Sequence, residues 1–77
     1  MVKAKCIKDR NPWGDTPTTL TLGEEYEVKH IEMSSAITFV FLKDKKGVFN
    51  SLCFEFFEDG KPLDIYQDIR FNPYLVH

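Results

Sequence analysis

The chain has 77 residues, 43% of them hydrophobic and 29% charged, which excludes a disordered segment and leaves room for one domain with a small core. Ten basic against twelve acidic residues give a net charge of −2, without the basic excess that phosphate binding draws on. No apolar run nears the ~20 residues of a membrane span, and the longest, Ala36 to Leu42 interrupted by Thr38, has the length of a strand.

In chain order, Val2, Ala4 and Cys6 alternate with Lys3 and Lys5, the period of two that marks a half-buried strand. Ile7 breaks the alternation and predicts a bulge or strand end. Asp9 to Pro17 is dense in turn formers and too long for a tight hairpin, so it reads as a loop carrying Trp13. Leu20-Thr21-Leu22-Gly23-Glu24 is a turn signal running into a strand over Glu25 to Met33. There Tyr26 and Val28 share one face, and Ile31 and Met33 then take over the apolar register, which predicts an irregularity near Lys29–His30.

Ser34-Ser35 is a short turn. Ile37 to Leu42 is apolar on both faces and predicts a central strand covered on both sides. Asp44-Lys45-Lys46-Gly47 is a polar hairpin turn, and Val48-Phe49-Asn50 resumes the strand. Asn50 to Phe54 suits a single 3₁₀ turn. Glu55 to Glu58 is a final short strand, closed by the turn dipeptide Asp59-Gly60. From Lys61 the pattern fits either a helical turn or two, with Ile65 and Ile69 on one side, or an extended tail. Asn72-Pro73 stops any helix.

Three segments carry a family resemblance: Lys3-Ala4-Lys5-Cys6-Ile7, Leu20 to Val28, and Gly47 to Glu55. Their order, with a long early loop, a short polar turn, a tight hairpin and a 3₁₀ link, resembles the Src-homology-3-like barrel. It is most similar to the small barrel proteins of Gram-positive bacteria and their phages. The resemblance covers residues 2–58 and implies a mainly β, five-stranded barrel over residues 1–60. Residues 61–77 then form a carboxy-terminal tail packed on its outer face or on a partner. Eukaryotic members bind proline-rich peptides, but Ser51, Leu52 and Phe54 stand where their Pro-x-x-Tyr is expected, so those binding residues are not carried over.

Chemistry is thinly represented. Cys6, His30, Cys53 and His77 lack the spacing of a zinc site, and Cys6 lies in the inward register as a core thiol. His30 falls at a strand irregularity, as a surface residue, and His77 is terminal. With no export signal visible, a reducing cytoplasm and unpaired thiols are expected. Strand carboxylates alternate with apolar residues and so face solvent, and there is no phosphate-binding glycine loop. No enzyme, no cofactor and no metal is expected.

The aromatic residues, 14% of the chain with seven Phe, are the more informative group. If Val40 and Leu42 fill the barrel, alternation directs Phe39 and Phe41 outward, and Val48 pointing inward places Phe49 beside them. Such a patch needs cover. The tail offers matching groups in Leu63, Ile65, Tyr66, Ile69, Phe71, Tyr74 and Leu75. Either the tail seals the patch, or patch and tail engage another chain.

The expected function is a small, non-enzymatic, cytoplasmic interaction module of bacterial or phage type. Its surface would comprise Trp13, Phe39, Phe41, Phe49, Tyr66, Phe71 and Tyr74, and its partner would be an unidentified protein or a second copy. The alternative is a nucleic-acid binder using Lys3, Lys5, Lys8, Arg10, Lys43, Lys45 and Lys46 to track phosphates while an exposed ring stacks on a base.

Overall fold

The computed structural model describes residues 1–75, so His77 lies outside the described residues. Six strands form one antiparallel sheet: β1 (Val2–Cys6), β2 (Glu25–Met33), β3 (Thr38–Leu42), β4 (Phe49–Asn50), β5 (Phe54–Glu58) and β6 (Lys61–Leu63). Their order is β4-β3-β2-β1-β5-β6, so β4 and β6 are edges and the sheet is open where a closed five-stranded barrel was expected. No α-helix occurs among the described residues; short 3₁₀ turns lie at Ser51–Cys53, Ile65–Gln67 and Pro73–Leu75.

The irregularity in β2 is where the apolar pattern places it. Val28 pairs with Leu42 but His30 pairs with Phe41, so Lys29 is an extra residue. That bulge switches the inward positions from Tyr26 and Val28 to Ile31 and Met33, keeping both halves of a nine-residue strand on the core.

The sixth strand comes from the turn before it. Asp59 (φ 52°) and Gly60 (φ 81°) both adopt positive φ, the tight-hairpin geometry whose twist matches the flanking strands. The chain therefore folds straight back, pairing Glu58 with Lys61 and Phe56 with Leu63. Pro62, which lacks a donor, is tolerated because β6 is an edge.

The core gathers Ala4 and Cys6 from β1, Ile31 from β2, Val40 and Leu42 from β3, and Phe54 and Phe56 from β5, joined by Leu20 and Cys53. Phe49 belongs to it as well. This corrects the expected outward position: Phe49 is 8% exposed and Val48 49%. Phe49 pairs with Val40, and paired residues share a face, so a register one residue away from the expected one reverses both side chains. Phe49 and Phe54 meet edge to face at 6.3 Å.

The other correction concerns cover. Phe39 and Phe41 do face outward, but the buried residues of the tail go to the core. Ile65 is fully enclosed, and Leu63 and Phe71 pack against the same cluster. Phe41 is shielded by the His30 ring at 5.6 Å, while Phe39 keeps 36% exposure. β3 is thus central by pairing but not covered on both sides.

Candidate functional site

At one end of the sheet, three connections converge, each shaped by local hydrogen bonds. In the long loop, Arg10 bridges to Pro17, Asn11 N–H donates to Thr16 O at 2.8 Å, and the Thr18 hydroxyl donates to Asp9 O at 2.7 Å. The loop is therefore a ladder of its own, with Trp13 at its tip. There the Asn11 carboxamide accepts from Trp13 N–H at 3.0 Å, and positive φ at Gly14 and Asp15 turns the chain. In the β2–β3 connection, the Ser34 hydroxyl donates to Ile37 O at 2.6 Å.

The third connection is the 3₁₀ turn before β5. Asn50 caps it, accepting from Leu52 N–H at 2.9 Å. Ser51 and Cys53 on either side are buried, which drives Leu52 out into solvent. Behind it the Ser51 and Tyr66 hydroxyls lie 2.5 Å apart, and Asp64 caps the Ile65–Gln67 turn by accepting from Tyr66 N–H at 3.0 Å.

The result is an exposed apolar triad: Trp13 (65%), Leu52 (57%) and Tyr66 (40%). They frame a cleft of about 260 Å³ floored by Met33, Ile37 and Thr38. On the far side of Leu52 and Tyr66 lies a larger groove of about 660 Å³, where Ile7, Phe54, Phe57 and Leu63 contribute apolar walls. Leu52 and Tyr66 are shared, so the two hollows adjoin.

Of the residues expected from sequence, Trp13 and Tyr66 meet here. Phe39 and Phe41 lie on the outward face of β3, Phe49 is in the core, and Phe71 is half-buried beneath the Arg70 guanidinium at 5.1 Å. Tyr74 is exposed on the last 3₁₀ turn. Sequence reasoning missed Leu52 and Ile7. The 3₁₀ turn is legible in the sequence, but which side it buries is not; with Ser51 and Cys53 buried, three residues per turn point Leu52 the other way.

Burial pushes both cysteine thiols up, away from the thiolate that nucleophilic chemistry uses. Arg70 forms paired hydrogen bonds to Glu58 at 2.7 Å and further ones to Asp68 at 2.6–3.1 Å; they hold both carboxyls below their ordinary range and raise Arg70. That clamp ties the tail to β5. Among the described residues, no cluster of three or more His, Cys, Asp or Glu is placed to hold a metal ion.

The basic residues are interleaved with acids. On β1, Lys3 lies opposite Glu27, and Lys5 lies between Glu25 and Glu55. Lys43 pairs with Glu27 at 2.9 Å, Lys45 donates to Thr19 O at 2.9 Å, and Arg10 donates to Asp15 O at 2.7 Å. Among the described residues, no helix is long and apolar enough to cross a membrane.

No curated protein and no solved structure matches the chain. A family model described as bacteriophage T4 protein Y07B matches residues 15–77, from just beyond the loop tip through every later strand. The matched stretch includes Leu52 and Tyr66 and leaves out β1 and Trp13. Because that match takes in well over half of its length, this small β protein belongs to the bacteriophage T4 protein Y07B family.

Proposed function

We propose that the protein is a small non-enzymatic interaction module that docks a protein partner at the cleft framed by Trp13, Leu52 and Tyr66. The observation that carries this reading is the exposure of those three large side chains on capped, hydrogen-bonded connections. Burying a side chain of that size is worth about 1.5–3 kcal/mol. Aromatic anchors beside a pocket are the residues on which protein interfaces concentrate their energy. Because the three turns are already ordered, little freedom is lost when they are covered.

The Src-homology-3-like reading of the fold is part of the same proposal. It is supported by the run β4-β3-β2-β1-β5, a long loop between β1 and β2, and a 3₁₀ turn leading into β5. The exposed end is where these connections meet. Interleaving of lysines with carboxylates favours a protein partner over nucleic acid, since phosphate tracking needs an unopposed basic stripe. A cytoplasmic location belongs to the proposal too, with the unpaired thiols of Cys6 and Cys53 in support.

The test is affinity capture from a bacterial-host lysate with the wild-type chain, Leu52→Ala, Trp13→Ala and Phe39→Ala. Proteins held by the wild type and by Phe39→Ala but lost from the other two support the site. Capture that is equal across all four variants contradicts it.

A further inference from the structure

We propose that the larger groove takes a short basic segment of the partner polypeptide, an apolar side chain seated between Leu52, Phe57 and Tyr66 and a Lys or Arg against Glu55 and Asp64. This rests on the docking reading above and adds the chemistry of the occupant.

The groove's volume of about 660 Å³ is ample for one or two large side chains. Its walls are mostly apolar, and among the described residues the charged ones lining it are Glu55 and Asp64. Neither forms a salt bridge among the described residues, whereas the nearby acids Glu58 and Asp68 are both engaged by Arg70, and Glu27 by Lys43. Asp64 uses one oxygen to cap Tyr66 N–H, which leaves the other for an incoming donor. Asp64 and Glu55, the latter with Lys5 as its cross-strand neighbour, place negative charge beside an apolar seat that no cation lines among the described residues. That combination attracts a cationic, apolar segment and repels phosphates and anionic lipid surfaces. It also disfavours a second copy of this acidic chain, because a two-fold contact brings the same acids face to face.

The experiment pans a phage-displayed library of random peptides on the immobilised full-length protein. Recovered sequences are then made as fluorescent peptides and titrated against the wild type, Leu52→Ala and the double variant Glu55→Gln/Asp64→Asn. The asparagine oxygen still accepts from Tyr66 N–H, and matching thermal midpoints check that each variant is folded. The expected peptides pair an aromatic or aliphatic residue with Lys or Arg. They lose affinity about fivefold on the double variant, as two partly exposed charge pairs contribute, and the difference narrows as salt rises. Replacing the peptide's Lys or Arg by Ala should weaken binding to the wild type and change little on the double variant.

Charge-neutral peptides that are lost on Leu52→Ala but indifferent to the acid pair overturn the basic occupant and leave the docking surface standing. Peptides indifferent to Leu52 and to the acids overturn both. A concentration-dependent dimer in sedimentation, dispersed by Leu52→Ala, replaces the foreign segment with a second copy. A selection that yields no peptide also counts against the basic occupant.

Discussion

Two apolar groups on this protein have opposite fates, and their backbones explain why. Phe49 and its neighbours on β3 sit on strands, where a side chain's environment follows from pairing register; Phe49 shares Val40's face and is buried. Trp13, Leu52 and Tyr66 sit on loops and 3₁₀ turns, where Asn11, Asn50 and Asp64 cap the next turn through backbone N–H groups and direct the side chain outward. Phe49, Phe54 and Phe56 on strands are buried in the core, whereas Trp13 and Tyr66 on turns stay exposed. Exposure at a strand position such as Phe39 comes from alternation and can be shared with Glu32 and Asn50 beside it.

The comparison breaks first at the core. Phe49→Ala is expected to lower stability by about 3–5 kcal/mol, the range for truncating a buried Phe, in urea unfolding. Phe39→Ala should change it by well under half as much. Equal effects at the two positions would place Phe49 on the wrong face. Next in size, Ile65→Ala should cost about 2–5 kcal/mol, because the tail residue is enclosed by the main cluster. A loss no greater than that of a surface substitution would show the tail to be an appendage.

A smaller effect is expected from Tyr66→Phe, which removes the hydroxyl shared with Ser51 and should destabilise by about 1 kcal/mol while leaving the ring in its cleft. The Arg70 clamp sharpens the comparison through pH. Glu58 and Asp68 are held below their ordinary values by Arg70, so their stabilisation is present above the unfolded carboxylate range and is lost as pH falls through their folded values. Acid titration followed by NMR should therefore loosen residues 68–71 before the core, and Arg70→Ala should abolish that early step. At the far end of the scale, Trp13→Ala and Leu52→Ala should move stability by no more than about 0.5 kcal/mol. A large loss at either would make it a core residue.

Much of this arrangement is legible in the residues. The shift of apolar positions from Tyr26 and Val28 to Ile31 and Met33 announces the β2 bulge, and Asn50 to Phe54 announces the 3₁₀ turn. The face of Phe49 is not legible, because Val48 and Phe49 are both apolar and either satisfies an alternating pattern. Only the length of the preceding turn, ending at Gly47 with φ 95°, decides between them. β6 is hidden by Pro62, which argues against a strand until the edge position is known. Sheet openness is hidden too, since alternation reports the two faces of each strand and says nothing of whether β4 and β6 meet. Leu52 reads as core from its type alone; its exposure depends on its buried neighbours Ser51 and Cys53.

The most direct test of the docking surface is calorimetric titration of the captured partner into the wild type and into Leu52→Ala, with unfolding curves for both. Unchanged unfolding together with affinity reduced by about tenfold or more is the outcome expected for an anchor residue beside a pocket. Intact affinity in a folded Leu52→Ala protein would contradict the account.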